Sequence, residues 1–171
     1  MPKISVLLCV HNPDKKELYQ AVQSVIVQTF EDWEMILYDD GSDEAYEAFI
    51  YEISCLDTRI RYVRNPVHHS LAYGLNRSLK MAAGEYAARM DADDVSTPER
   101  FHKQLAFLES HRQYLWVGSN VALINSQGEI WGERRYPMTP ESRDFLKYSP
   151  YAHPAVMFRR KELLEFGGYF K

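Results

Sequence analysis

The sequence predicts an α/β fold, a Rossmann-like, mostly parallel sheet flanked by helices. Three observations predict it. Nearly continuous apolar runs, the mark of strands buried on both faces, alternate four times with stretches whose apolar residues recur at helical spacing. Polar groups stand at the ends of three of those runs, and doubly wound sheets bind ligands outside the carboxyl ends of their strands. After His111 the alternation gives way to two strand-like segments around a turn, which adds an antiparallel hairpin in the C-terminal part.

Ile4 to Val10 (ISVLLCV) is the first buried strand, ending at His11-Asn12-Pro13. From Asp14 the period changes: Leu18, Ala21, Val22, Val25 and Ile26 form one helical stripe. Trp33 to Tyr38 is the second strand and runs into Asp39-Asp40-Gly41-Ser42-Asp43, a turn with capping residues before a helix over Glu44 to Cys55. Arg59 to Arg64 alternates as a strand and stops at Asn65-Pro66. Ser70 caps a helix with Leu71, Leu75, Leu79 and Ala82 on one face, and Gly84 is placed as its C-terminal stop. Glu85 to Met90 is the fourth strand. Thr97 and Pro98 then read as the cap and first position of a helix lined by Phe101, Leu105 and Leu108. Further on, Leu115 to Asn125 reads as one long strand, turned by Ser126-Gln127-Gly128 into Glu129 to Tyr136 and joined to the sheet. A short helix over Pro140 to Tyr148, a strand over Pro154 to Arg159 and a helix over Lys161 to Phe166, halted by Gly167-Gly168, complete the chain.

At 171 residues, 46% apolar and 26% charged, the chain is one ordinary globular domain with a real core. A net charge of -4 and scattered Lys and Arg give no basic stripe and argue against a nucleic-acid partner. Cys9 and Cys55 have no metal-ligand spacing and fit a reducing, cytoplasmic setting. No signal-peptide pattern and no apolar run of about 18 residues is visible, which leaves peripheral attachment at the inner membrane face open. His11-Asn12-Pro13-Asp14 lacks the glycines of a dinucleotide-binding turn, so NAD and FAD are disfavoured.

The candidate site centres on Ala88 to Val95, where three carboxylates, Asp91, Asp93 and Asp94, fall within four positions. In an extended chain Asp91 and Asp93 would share one side and Asp94 would face the other. Paired carboxylates call for a hard divalent cation, Mg²⁺ or Mn²⁺, with a diphosphate completing the shell. Ala92 leaves room for the ligand. A solvated acidic turn that caps the next helix is the alternative reading.

Ile4-Ser5-Val6 leading to Asn12, Gln28-Thr29-Phe30, Tyr38-Asp39-Asp40-Gly41-Ser42, Gly74-Leu75-Asn76, Ala83-Gly84-Glu85-Tyr86, Asp91-Ala92-Asp93-Asp94, Pro98-Glu99-Arg100 and Gly167-Gly168-Tyr169 follow one another along nearly the whole chain. This ordered set resembles glycosyltransferase family 2, a GT-A fold family. The resemblance implies metal-dependent transfer of a sugar, with inversion, from a nucleotide diphosphate sugar, with UDP the expected nucleotide. The acceptor would be a glycan or lipid-linked molecule in bacterial surface polysaccharide synthesis. By the same resemblance Asp40 accepts a hydrogen bond from the nucleobase, with a helix cap as the alternative, and Asp39 is structural. Asp93 ligates Mn²⁺ or Mg²⁺ and stabilises the leaving diphosphate; Asp91 lies at the ribose and metal; Asp94 supports them or caps a helix. Val10, His11 and Ala92 line the nucleotide site, although His11 equally suits a turn histidine. Asn76 matches a donor-site asparagine or is a polar helix position. His153 stands beside the acceptor pocket or is structural. His68-His69 reads as an exposed loop with His69 near the nucleotide.

The resemblance divides the chain into a donor half, 1–110, and the start of an acceptor half, 111–171. In the family a general base follows the Gly-Gly-Tyr turn. Here the sequence stops at Lys171, so the base is expected in a longer protein of which this is the N-terminal portion. A non-catalytic nucleotide-sugar or metal-binding domain, acting as a partner or regulator, is the alternative function. Trp131, Tyr136, Tyr148 and Tyr151 lie in the acceptor half without an assigned role.

Overall fold

The computed structural model describes residues 1–146 and 148–170. Four strands, β1 (Ile4–Val10), β2 (Trp33–Asp40), β3 (Ile60–Asn65) and β4 (Tyr86–Met90), alternate with four helices, α1 (Lys15–Ile26), α2 (Glu44–Ser54), α3 (Leu71–Met81) and α4 (Arg100–Ser110). Then come β5 (Trp116–Val117), β6 (Val121–Ile124), β7 (Ile130–Arg134), α5 (Ser142–Phe145), a 3-10 turn (His153–Ala155), β8 (Met157–Arg159) and α6 (Arg160–Glu165). The main sheet runs β3-β2-β1-β4-β8-β5. Its first four strands are parallel, and β8 lies antiparallel to both β4 and β5.

Strand β1 is almost wholly buried because it is central and covered on both faces. On one face Ile4, Val6, Leu8 and Val10 pack with Leu18, Val22 and Val25 of α1, Ile50 of α2 and Phe101 and Leu105 of α4. On the other, Leu7, Ile36 and Ala87 meet Leu75 and Leu79 of α3, with Leu163, Leu164 and Tyr169 alongside. Caps set two of the helix starts: Asp14 accepts from the N–H groups of Lys16 and Glu17, and Ser70 from that of Tyr73.

The structure corrects the sequence reading in several places. Leu115 to Asn125 is not one strand: it breaks at Gly118-Ser119-Asn120 into β5 and β6. The hairpin β6-β7 forms a separate two-stranded sheet, and the antiparallel member added to the main sheet is β8. The strand expected from Pro154 starts only at Met157, after the 3-10 turn. Helix α4 starts at Arg100 rather than Pro98, and the first turn takes its acceptor from elsewhere: Gln28 Oε1 accepts from Phe101 N–H at 3.1 Å. Gly84 is no left-handed stop. A Cβ there would press on the backbone of Ile4 and Ser5, so Gly84 is small because β1 passes beside it. Gly167 and Gly168, with φ of +95° and +83°, do end α6 as expected. The helix read over Pro140 to Tyr148 is reduced to α5, and Lys147 within that range lies outside the described residues. Among the described residues no helix is long and apolar enough to cross a membrane.

Candidate functional site

The carboxyl ends of β2, β1 and β4 are neighbours in the sheet, and they bring Asp40, His11 and the Asp91 to Asp94 turn to one edge. That edge includes the point where chain order reverses between β1 and β4, where open α/β sheets bind ligands.

Strand β4 ends at Met90, so Asp91 to Asp94 is a turn and not the extended chain assumed from the period of two. The turn gathers what a strand would have separated: one carboxylate oxygen from each of Asp91, Asp93 and Asp94 lies within 4.8 Å of the others. Asp93 is exposed, and the other two are partly buried. Burial, with the charges of Asp91 and Asp93 beside it, pushes the Asp94 carboxyl up to about 6. Burial also raises that of Asp91, with Arg89 opposing. Asp94 caps nothing, since α4 begins six residues later.

Arg89, which the sequence reading did not single out, lies beneath this cluster. It sits in a strand otherwise made of Tyr, Ala and Met, and is 2% exposed. Its guanidinium grips both oxygens of Asp91, with Nη1 donating to Oδ2 at 2.6 Å and Nη2 paired with Oδ1. Asp91 therefore enters the cluster with a guanidinium against it, whereas among the described residues Asp93 and Asp94 have no ion-pair partner. A lone arginine in a buried strand, two positions from an aspartate on the same side, was the signal available.

Asp39 is structural, as read. Fully buried, it accepts from Arg64 Nη1 at 2.6 Å, Tyr62 OH at 3.1 Å and Ser42 N–H at 2.8 Å. Asp40 does not cap a helix. Its Oδ2 accepts from His69 N–H at 2.9 Å and faces His68 Nδ1 at 3.1 Å. His11 is exposed, stacks on His68 and places Nδ1 3.2 Å from the Asp40 carbonyl oxygen. Val10 is in the apolar core, so only its backbone can face a ligand. Asn12, at φ 48°, buckles the two loops together: Oδ1 accepts from Asp43 N–H at 2.8 Å and Nδ2 donates to Asp43 Oδ2 at 3.0 Å.

Asn76 holds the turn after α6. Both ends of its amide are taken by Tyr169, whose N–H donates to Oδ1 and whose carbonyl accepts from Nδ2, each at 2.8 Å. Ala92 is half-buried against the core beside the carboxylates. His153 meets Tyr169 edge-on, with ring centroids 5.6 Å apart, and burial, aided by Arg89, holds its imidazole down to about 4, so it is neutral at pH 7. Tyr136 and Tyr151 line an aromatic cleft of about 560 Å³ with Trp116 and Phe145, apart from the carboxylates; Trp131 and Tyr148 are exposed.

A mostly parallel six-stranded sheet of this order, flanked by helices and followed by a separate antiparallel hairpin, defines an α/β domain of GT-A type, and similar solved structures agree. A mannosyltransferase from Pyrobaculum calidifontis, determined with GDP-Man and Mn²⁺, superposes with a TM-score of 0.74 at 15% identity, over 99% of this chain and 48% of that one. S. aureus TarS 1-349 with UDP-GlcNAc gives 0.70 at 20% identity, over 99% and 48%. The model of Glycosyl transferase family 2 matches residues 5–167, and the chain belongs to that family. It is 34% identical to EpsE of Bacillus subtilis, named as a glycosyltransferase, over 98% of this chain and 60% of that protein. The O-antigen biosynthesis glycosyltransferase WbnJ of Escherichia coli is 31% identical, over 97% and 65%. The chain thus spans 60% of EpsE and about half of the solved structures it resembles.

Proposed function

We propose that this chain is the donor-binding portion of an inverting, metal-dependent glycosyltransferase that takes a sugar from a nucleotide diphosphate sugar, UDP being the expected nucleotide, to a glycan or lipid-linked acceptor. The convergence of Asp91, Asp93 and Asp94 within 4.8 Å, on the same sheet edge as Asp40, carries the reading. The donor set suits Mn²⁺ or Mg²⁺: all ligands are hard carboxylate oxygens, and Asp94 carries repulsion that a cation would relieve. Asp93 and Asp94 would hold the ion and Asp91, fixed by Arg89, would orient the ribose side. When bound, such an ion supplies positive charge to the leaving diphosphate.

The other roles fall to the chain itself. Asp40 accepts from the base, and His11 offers a ring to stack on it. His153, edge-on to Tyr169, belongs to the acceptor side, residues 111–171. No described residue is assigned as general base. Relatives named for O-antigen and amylovoran biosynthesis support a polysaccharide as the product, and the cytoplasmic face of the membrane is the expected place of its assembly.

Calorimetric titration with UDP and other nucleoside diphosphates tests this, in Mn²⁺ and again in EDTA. Binding is expected only with the metal, and Asp93→Ala should weaken it at least about a hundredfold, as loss of a metal ligand does. Equal affinity in EDTA would sink the metal-bridged reading.

A further inference from the structure

Residues 66–69 leave the end of β3 and fold back over the end of β2. The His68 ring lies on that of His11, with centroids 3.8 Å and planes 29° apart. Its Nδ1 stands 3.1 Å from Asp40 Oδ2 and 3.1 Å from the Asp40 carbonyl oxygen. His69 N–H donates to the same Oδ2 at 2.9 Å. The loop is seated in this position. Gly41, at φ +70°, has no Cβ because one would collide with the backbone of Val67 and His68, and Asn65 Nδ2 donates to the Val67 carbonyl at 2.5 Å. As a result Asp40 is only 4% exposed.

A flat heteroaromatic ring stacked on His11, with a ring nitrogen 3.1 Å from Asp40 Oδ2, fills the space that a nucleobase stacked on His11 and bonded to Asp40 would need. In its Nδ1–H tautomer His68 donates to the Asp40 carbonyl oxygen while its ring stands against the carboxylate. We propose that His68 occupies the nucleobase position in the free chain and must swing out for a donor to enter, which makes it a determinant of nucleotide affinity and selectivity. The inference rests on the reading of Asp40 and His11 as the base site.

The consequence is an exchange. An entering base gains a stack and an N–H bond to Asp40 but displaces the His68 stack and the His68 bond to the Asp40 carbonyl, so its net gain is reduced by the population of the closed state. A base that presents a bare ring nitrogen to Asp40, as cytosine does, leaves two acceptors facing each other and cannot match what it displaces. Uracil, thymine and guanine carry the required N–H.

The test is calorimetry and stopped-flow binding of UDP, GDP and CDP, at fixed Mn²⁺, to the wild-type chain, His68→Ala and His68→Phe. His68 is half exposed on a loop, so both variants should fold, which circular dichroism checks. His68→Ala should bind UDP or GDP about fivefold tighter, with faster association, because the competing state is gone. His68→Phe, which keeps the stack but has no N–H, should fall between, and CDP should bind least well throughout. Equal or weaker binding by His68→Ala would overturn the proposal alone, making His68 a bystander or a wall of the slot. Absence of binding to wild type and variant alike would overturn the donor-site reading and this inference with it.

Discussion

At the scale of single residues the site is governed by like charge at short range. Three carboxylates with oxygens within 4.8 Å are opposed by two guanidiniums, that of Arg89, committed to Asp91, and that of Arg100, which acts on Asp94 without bonding to it. Asp94 bears the result. Its carboxyl is raised from 3.8 to about 6, so it costs the folded state nothing below the ordinary value. The penalty grows as pH rises through about 6 and is complete above it, because the unfolded chain ionises this group more readily. In EDTA at pH 7.5, Asp94→Asn should therefore stabilise the chain by about 1 kcal/mol, a figure reduced for partial solvent access. The gain should vanish near the ordinary carboxylate range, and urea unfolding at the two pH values measures the difference. No stabilisation at pH 7.5 would mean that solvent already screens the cluster.

At the scale of elements, the pieces of the chain are joined by side chains that reach into a neighbouring backbone. Asn76 of α3 pins Tyr169 through both amide atoms, and Gly168 is glycine because a Cβ there would collide with Asn76 Oδ1. This joins the turn after α6 to helix α3. Asn76→Ala should lower stability by about 1 kcal/mol, as lost hydrogen bonds of this kind do, and should speed amide exchange at Tyr169 well before global unfolding. Native-state hydrogen exchange separates that local opening from a general loss. Unchanged exchange at Tyr169 would show that packing alone holds the turn.

At the scale of the molecule, Arg100 ties the N-terminal half of the chain to the C-terminal half. It is buried with no carboxylate bonded to it, and burial holds its guanidinium down to about 10. Nη2 donates to the Arg89 carbonyl at 2.7 Å and to that of Pro154 at 3.2 Å, while Nη1 donates to Ser96 Oγ at 3.0 Å. Gln104, one turn on, adds a bond to the Ala155 carbonyl at 2.7 Å. Arg100→Met keeps most of the volume but leaves several buried carbonyls unpaired, and should cost about 3 kcal/mol or more in urea unfolding. A cost under about 1 kcal/mol would mean the two halves are held by the sheet alone.

The strands, the four alternations and the gathering of polar groups at the carboxyl ends of the strands were legible in the sequence, since burial on both faces and helical spacing leave direct marks on residue choice. So were Asp40 and the Asp91 to Asp94 cluster as candidates, and the family, from motifs in order. What the sequence could not supply were contacts between segments far apart in the chain. Asn76 with Tyr169, His68 on His11 and Arg100 with Pro154 are separated by tens of residues and follow from no local period. The attachment of β8, in place of the hairpin, to β4 is of the same kind, because edge pairing depends on which strand reaches the open edge of the sheet. The sequence by itself determined the layered sheet and its acidic edge, through periodicity and composition. Only the tertiary structure decided which carboxylates converge and which polar side chains are free, because hydrogen-bond partners are assigned in space and not along the chain.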